Sequence, residues 1–475
     1  MAKHYDFYCA GEWRSSSEKL EVINPYNGEV VGVTSYATDQ DFEDATCAAQ
    51  SAFKEMRALP TYKRAEILYQ LSAKLAERRD EIAALLTAEA GKPINDARVE
   101  VDRGVFTLRV AAEEAQRIHG EQIPLDLMAS SAGRFGVTRR MPIGPIAGIS
   151  PFNFPLNLAL HKIAPAIASG NTIVLKPPSY DPLTMLTFAE LIAQVDLPKG
   201  AVSIMPMNRQ VGDRLVTDDR YKLLSFTGSP DVGWNMKSRA GRKKVVLELG
   251  GNAGVIIDRD ADLDFAAGRV LTGAFAYAGQ VCISVQRAYI HEDVFDTFAE
   301  KLVEKAKAVK RGDPADESTQ LGPMIDEKAV QRIHSWVEAA VSEGAKVLTG
   351  GKPDGRFYEP TVIVDAKPES NVCAREAFAP IVTLFPFSDW DEGLARIDDS
   401  IYGLQAGVFT SNLEHALRAW ERLEVGGVII NDIPTYRIDH MPYGGVKDSG
   451  LSREGLRYAI EDMTEPRLVV FNRLG

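Results

Sequence analysis

Leu223-Leu224-Ser225-Phe226-Thr227-Gly228-Ser229-Pro230-Asp231-Val232-Gly233 is a short apolar run that ends in a glycine turn and leads into a helical stretch. A strand followed within a few residues by a helix is half of a βαβ unit, and the pattern recurs on both sides. Ile146 to Ser150, Thr172 to Lys176 and Val202 to Pro206 are β-branched runs upstream, and Val245 to Leu249 is another downstream, with helical patterns between them. Such alternation predicts a parallel sheet with helices on both faces. It resumes after Gly251, with Gly254 to Asp258, Arg287 to His291, Lys346 to Leu348 and Gly427 to Asn431 as strands among helices such as Phe295 to Lys310. These read as a second α/β domain.

Ahead of the first sheet, Thr38 and Asp41 form an N-cap pattern before Phe42, Ala45, Ala49 and Phe53 at helical spacing, with Cys47 read as core filler. Long helices are predicted from Lys63 to Ala90, ended by Gly91 and Pro93, and from Arg98 to Ala115. The opening hundred residues therefore read as largely helical. Gln122 to Arg140, with Ser130, Ser131, Ala132 and Gly133 between extended flanks, reads as a hairpin, and Arg467 to Asn472 as a single strand. Exposed strands of this kind either pair with another subunit or cover their own chain.

With 475 residues, 45% of them hydrophobic and 25% charged, the chain suits a soluble globular protein of more than one domain. Its 54 basic and 66 acidic side chains leave a net charge of −12, the wrong sign for a nucleic-acid partner. The most apolar stretch, Gly144 to Leu175, is interrupted by prolines, Asn153, Asn157, His161 and Lys162, so no membrane segment is expected. The first residues lack the apolar run of a secretory signal, and cytoplasmic residence is the expectation. Cys9, Cys47, Cys282 and Cys373 are scattered without a CxxC pair or a His at ligand spacing. No metal is expected, and any cysteine chemistry involves a lone thiol.

Five local features can carry chemistry. The Gly228-Ser229 turn before a helix suits close approach of a cofactor phosphate, although a plain βα turn has the same residues. Lys176, followed by Pro177-Pro178-Ser179, puts an ammonium at the carboxyl edge of the sheet, either for a ligand or simply exposed. Cys282, in Gly279-Gln280-Val281-Cys282-Ile283, is a nucleophile or, as free cysteines ordinarily are, a small buried hydrophobe. Glu248, inside the apolar Leu247-Glu248-Leu249-Gly250-Gly251, is costly to bury as an ion and calls for a function or a cationic partner. Asn153, in Pro151-Phe152-Asn153-Phe154-Pro155, is a turn former or an oxyanion donor. Taken together, a lone thiol, an apolar-site carboxylate, an amide donor and a glycine turn describe a thiol acyl-transfer site beside a dinucleotide.

Seven spans in this order resemble the aldehyde dehydrogenase superfamily: Pro151-Phe152-Asn153-Phe154-Pro155, Leu175-Lys176-Pro177, Phe226-Thr227-Gly228-Ser229, Leu247-Glu248-Leu249-Gly250-Gly251, Gly279-Gln280-Val281-Cys282, Glu376-Ala377-Phe378-Ala379-Pro380 and Pro442-Tyr443-Gly444-Gly445-Val446-Lys447. The resemblance runs from the N-terminal helices through the tail. It implies an α/β aldehyde dehydrogenase-like fold: a Rossmann-type cofactor domain over 1–121 and 142–250, an α/β catalytic domain over 251–461, and a small β oligomerisation element over 122–141 and 462–475. A homodimer or homotetramer using NAD or NADP is implied with it. So is oxidation of an aldehyde to a carboxylate through a thiohemiacetal and thioester on Cys282. Glu248 would activate the hydrolytic water, and Asn153 with the Cys282 main-chain N–H would hold the oxyanion.

The same alignment directs Ser150, Pro151, Phe152, Lys176, Ser179, Gly228, Ser229, Gly250, Glu376 and Phe378 at the cofactor. Lys176 and Ser179 would face the adenosine ribose, Ser229 the pyrophosphate, and Glu376 with Phe378 the nicotinamide ribose and ring. NAD-preferring relatives often carry Glu where this chain has Ser179, which removes a charge that would repel a 2′-phosphate, so NADP should be tolerated. Met207 and Ala379 stand where many relatives have Gly. Phe154, Val281, Ile283 and Tyr436 are the implied apolar substrate lining, with Arg437, Arg103 and His161 as cationic candidates. Each cation has a plain alternative: Arg437 pairing with Asp439, Arg103 with Glu100, and His161 capping a helix or filling an interface. Leu160 to Pro165 and Asp439 to Tyr443 are similar to segments of lactaldehyde, succinate-semialdehyde and non-phosphorylating glyceraldehyde-3-phosphate dehydrogenases. That neighbourhood favours small hydroxylated or acidic aldehydes. The rival readings are a CoA-acylating dehydrogenase, against which Glu248 argues, and a non-catalytic protein retaining the fold, against which Cys282, Glu248 and Asn153 argue.

Overall fold

The strand Leu223–Thr227 is buried along its whole length because it is paired on both sides, parallel to Pro145–Ile149 and to Lys244–Glu248. The computed structural model, which describes residues 2–473, builds an eight-stranded sheet around it. Across that sheet the order is Gly450–Leu451, Lys244–Glu248, Leu223–Thr227, Pro145–Ile149, Thr172–Lys176, Val202–Ile204, Phe7–Cys9 and Glu12–Arg14. The five central strands are parallel and the flanking ones antiparallel. From Pro145–Ile149 the chain steps one way to Thr172–Lys176 and Val202–Ile204, then returns to the other side for Leu223–Thr227 and Lys244–Glu248. The reversal opens a crevice at the carboxyl ends of Pro145–Ile149 and Leu223–Thr227, where open α/β sheets take ligands.

A seven-stranded sheet follows, in the order Lys346–Thr349, Thr361–Val364, Ile381–Phe387, Val285–His291, Ala253–Ile257, Gln405–Phe409, Gly427–Ile430, parallel except for its first strand. Each large sheet has its own hydrophobic core, and a small third cluster, with Ala90, Tyr277, Val281, Ile283, Leu404 and Tyr443, lies apart from both. The helix Leu456–Asp462, within the span expected for the catalytic part, contributes Leu456 and Ile460 to the first core instead. Gln122–Pro124, Arg134–Pro142 and Thr464–Asn472 form a third, antiparallel sheet, so the predicted hairpin and tail pair with each other within the chain.

Three local expectations are corrected. The first 35 residues hold five strands rather than helix, two of them added to the edge of the first sheet. The Lys63–Ala90 helix is two, Thr61–Glu77 and Arg79–Ala90, because Arg78 leaves helical geometry (φ −103°, ψ 19°) while its guanidinium bonds Glu81 and Glu190. Cys47 is exposed beside Glu43 and Arg220: the buried stripe of its helix is Phe42, Ala45, Thr46, Ala49, Ala52 and Met56, which leaves position 47 outside. Ile381–Phe387 is a further strand, which the sequence reading does not include, with Pro386 near its end. Among the described residues no helix is long and apolar enough to cross a membrane, and no group of three or more His, Cys, Asp or Glu could hold a metal ion.

Candidate active site

A cavity of about 430 Å³ fills the crevice at the strand-order reversal. Ser150, Pro151 and Phe152 reach it from the end of Pro145–Ile149, Gly228 and Ser229 from the end of Leu223–Thr227, and Gly250 from the loop after Lys244–Glu248. Glu376 and Phe378 close it from the second body, the Phe378 ring lying edge-on to Phe152 at 5.8 Å. The glycines are required by close approach. A Cβ on Gly228 would come within 2.5 Å of the Phe226 ring, one on Gly250 would strike the Glu376 carboxylate, and one on Gly251 the Cys282 carbonyl.

These residues fit a dinucleotide. Ser229 caps the helix Pro230–Arg239 without using its side chain, leaving first-turn N–H groups for an anion. The buried Ser150 Oγ has no partner. Lys176 and Ser179 do not line the cavity, although their neighbours Pro178 and Tyr180 do. The Lys176 carbonyl accepts from Ser150 N, and its Nζ has only the weak 3.4 Å contact to Pro177 O, burial drawing the ammonium down to about 8. Burial likewise pushes the Glu376 carboxyl up to about 7, against a hydrogen bond from Gly251 N at 3.1 Å. Arg332, on the same wall, was not signalled by any motif; its guanidinium donates to Ala377 O at 2.7 Å.

Cys282 lines this cavity and also a second one of about 190 Å³, whose walls include Phe154, Val281, Ile283, Arg103 and Arg437. Its Sγ lies 3.0 Å from the Tyr443 hydroxyl, which donates to Glu248 Oε1 at 3.4 Å. Burial, reinforced by the nearby Glu248, pushes the Cys282 thiol well above its usual range. Burial and then the Glu454 charge push Glu248 up to about 8. Asn153 is buried close by: one amide N–H donates to Gln280 O at 3.0 Å, and an amide has a second N–H to offer. The segment that carries it is anchored twice. Lys92 Nζ donates to Asn153 O at 2.7 Å and pairs with buried Glu100, whose Oε1 accepts from Leu156 N and Asn157 N at 3.0 and 3.2 Å.

The cationic candidates meet different partners from those the sequence suggests. Arg103 pairs not with Glu100 but bidentately with Asp439, at 2.7 and 3.1 Å. Arg437 has Asp439 Oδ1 only at 3.9 Å, and its main partner is Glu454 at 2.9 Å. His161 lines neither cavity; it is buried behind the arginines with Nε2 2.9 Å from Asp439 Oδ1, and burial followed by the Arg437 charge lowers its pKa, keeping it neutral. Tyr436 also stays off both cavities. Its carbonyl is tied to Gln405 Nε2 and its ring is 45% exposed. Lys162 completes the cluster, 3.4 Å from Glu454 and 2.7 Å from Thr227 Oγ1.

Against the penalty of burial, Lys162 and Arg437 hold Glu454 down to about 2, and His161 with Arg103 holds Asp439 well below the carboxylate range. Three cations, Arg103, Arg437 and Lys162, thus meet two ionised carboxylates, Asp439 and Glu454, with Glu248 in the field of Arg437 and Lys162 and Asp96 on the wall of the smaller cavity. Arg437 Nε is buried without a hydrogen-bond partner. Tyr443, Lys92, Asp439 and Glu454 were not picked out as site residues; of these Tyr443 and Asp439 lie within segments that carry the resemblance. A larger cavity of about 600 Å³ lies against the antiparallel sheet, lined by Arg117, Arg140 and Pro466, and shares no residue with these two.

The chain belongs to the aldehyde dehydrogenase family, whose model matches residues 13–469. That membership makes it an oxidoreductase of the aldehyde dehydrogenase class. A 3-sulfolactaldehyde dehydrogenase of Priestia aryabhattai is 44% identical over 473 residues, 99% of each chain. The crystal structure of aldehyde dehydrogenase 21 from Physcomitrella patens, in complex with the reaction product succinate, superposes with a TM-score of 0.98 at 46% identity, covering 100% of this chain and 99% of that one. A glyceraldehyde-3-phosphate dehydrogenase of Methanocaldococcus jannaschii, complexed with NADP, superposes with a TM-score of 0.92 at 39% identity over 97% of this chain and 100% of its own.

Proposed function

We propose that this enzyme oxidises a small hydroxylated or acidic aldehyde to its carboxylate with NAD(P)+, through a thiohemiacetal and a thioester on Cys282 that water hydrolyses. The observation that carries this reading is Cys282 on the shared wall of a nucleotide-sized cavity and a small cavity to which Arg103 and Arg437 contribute. Bound in the larger cavity, the nicotinamide supplies the hydride acceptor. Cys282 adds to the aldehyde carbon, and the second amide N–H of Asn153 with the Cys282 main-chain N–H holds the oxygen as it becomes negative. Glu248 takes the proton of the water that opens the thioester, a role suited to a carboxylate raised to about 8.

Arg103 and Arg437 face the far end of the substrate. An anionic tail there offers an acceptor to Arg437 Nε. The relatives support the same choice, one acting on 3-sulfolactaldehyde and another holding succinate, both anionic. Ser150, Pro151, Phe152, Gly228, Ser229, Gly250, Glu376 and Phe378 contact the cofactor, with Lys176 and Ser179 beside its adenosine ribose. Ser179 and the unpaired Lys176 ammonium favour acceptance of NADP. Comparison of kcat/KM for the two cofactors checks this, and an NAD preference above about a thousandfold overturns it.

A division into a cofactor domain and a catalytic domain is supported by the two large cores, with Leu456–Asp462 going with the first of them. A dimer or tetramer is supported by two outer strands: Thr464–Asn472, with Leu468, Val469, Val470 and Phe471 exposed, and Gly427–Ile430 of the second sheet. Four free cysteines accord with a reducing, cytoplasmic setting.

Initial rates with succinate semialdehyde against butyraldehyde, at saturating NADP and then NAD, test the proposal. A large preference for the charged aldehyde is expected. Equal rates overturn the acidic-substrate reading, a requirement for CoA overturns hydrolysis, and no reduced cofactor with either aldehyde overturns the activity.

A further inference from the structure

Tyr443 is 1% exposed, and its hydroxyl bonds both Cys282 Sγ, at 3.0 Å, and Glu248 Oε1, at 3.4 Å. Its ring has little freedom. The Tyr443 main-chain N–H donates to Glu454 O at 3.0 Å, and the Arg437 guanidinium lies 3.7 Å from the ring centroid. A phenol fixed in this way between the only thiol of the two cavities and the only carboxylate of the strand that ends there is more than packing, because a phenylalanine fills the same volume without an oxygen.

We propose that the Tyr443 hydroxyl is a catalytic group: it passes the Cys282 proton on to Glu248 and then donates to the resulting thiolate. The proposal rests on the assignment of Cys282 as nucleophile and Glu248 as base made above. In the step, the S–H bond of Cys282 breaks as its proton goes to Tyr443 Oη, while the phenol O–H breaks as its proton goes to Glu248 Oε1. The products are a thiolate, an intact phenol and a neutral carboxylic acid, so one negative charge has moved from Glu248 to sulfur and no proton is lost. The phenol, now carrying the former thiol proton, donates to the thiolate. A phenolate is not formed, and burial beside Cys282 and Glu248 holds the Tyr443 phenol well above its ordinary range.

The charged groups around this trio come from four segments. Glu248 ends its strand, Arg437 lies over the Tyr443 ring, Glu454 pairs with Arg437, and Lys162 reaches Glu454 from the helix Asn157–Ser169. Arg437 favours the thiolate, whereas an ionised Glu248 opposes it. Transfer of the proton to Glu248 removes that opposition in the same event that creates the thiolate.

The test is alkylation of the cofactor-free enzyme by iodoacetamide across pH, with Cys282 followed by peptide mass spectrometry because Cys47 is also exposed. Tyr443→Phe is expected to raise the midpoint of Cys282 alkylation by about one to two pH units, and to slow alkylation at neutral pH and the single-turnover burst roughly tenfold to a hundredfold. The KM for aldehyde should change little. An unchanged midpoint and burst overturn the relay. Where Tyr443→Phe does not fold, 3-fluorotyrosine at position 443, a more acidic donor, is expected to lower the midpoint, and no shift overturns the proposal. Steady turnover in Cys282→Ala instead overturns the nucleophile assignment itself, which separates the two failures.

Discussion

Cys282→Ala is expected to leave no measurable turnover, and Glu248→Gln to release one equivalent of reduced cofactor and then stall. The two variants interrupt different halves of one reaction. Without the thiol no covalent adduct forms, and the remaining groups bind an aldehyde without a nucleophile. With Gln at 248 the thiol loses the acceptor of its proton, so it adds and the thioester forms more slowly but still completely, and no base then faces the attacking water. General-base catalysis contributes about 10²–10⁴ in rate, so deacylation should slow by that order while the burst amplitude stays near one per subunit. Stopped-flow absorbance of the reduced cofactor reads both phases, and full steady-state rates in either variant refute the assignment.

The pH dependence has a definite sign. Water activation needs ionised Glu248, so wild-type deacylation should rise with pH through about 8 and level off above it. The same raised pKa works against the fold. Between the ordinary carboxylate value and about 8 the folded state binds a proton that the unfolded chain has already lost, so stability from this group declines as pH rises across that window. Glu248→Gln should therefore melt no lower than wild type at pH 9, which calorimetry at pH 6 and pH 9 measures.

Arg437→Ala should reduce kcat/KM for succinate semialdehyde by about 2–4 kcal/mol, roughly thirtyfold to a thousandfold, and that for butyraldehyde far less. The larger effect falls on KM, since an anionic tail is held equally before and during the chemistry. Removal of Arg437 leaves Glu454 paired with Lys162, and Asp439 paired with Arg103 and His161, so both carboxylates keep a partner while the guanidinium on the cavity wall disappears. Equal losses for the two aldehydes would mean that Arg437 serves only the fold. Arg103→Ala, whose side chain is more exposed than that of Arg437, should show the same selectivity to a smaller degree.

Much of this site is legible without coordinates. Of the residues that converge on the larger cavity, Gly228 and Ser229 are marked by a glycine turn between strand and helix, while Ser150 to Phe152, Gly250, Glu376 and Phe378 are reached through the family resemblance. Cys282, Glu248 and Asn153 are visible for a related reason, each being a polar group in an apolar stretch that has to be accounted for. The βα alternation announces both sheets because strand and helix periods are written in neighbouring residues. Failures occurred where local pattern is a poor guide. Tyr436 resembles its apolar neighbours, yet Gln405 ties its carbonyl and the ring turns outward. Arg103 has Glu100 within a helical turn, yet Lys92 has taken that carboxylate.

The two parallel sheets, the glycine turns of the crevice and the chemical identity of the thiol, carboxylate and amide are written in the chain, because each rests on residues within about ten positions of one another. Which charges meet is a matter of long-range packing. Arg103 reaches Asp439 across 336 positions, and Tyr443 stands between Cys282 and Glu248 across 161 and 195. In a buried site the pairing of ions follows from which segments the packing brings within hydrogen-bond distance, and a charge 300 residues away is as available as one on the next turn.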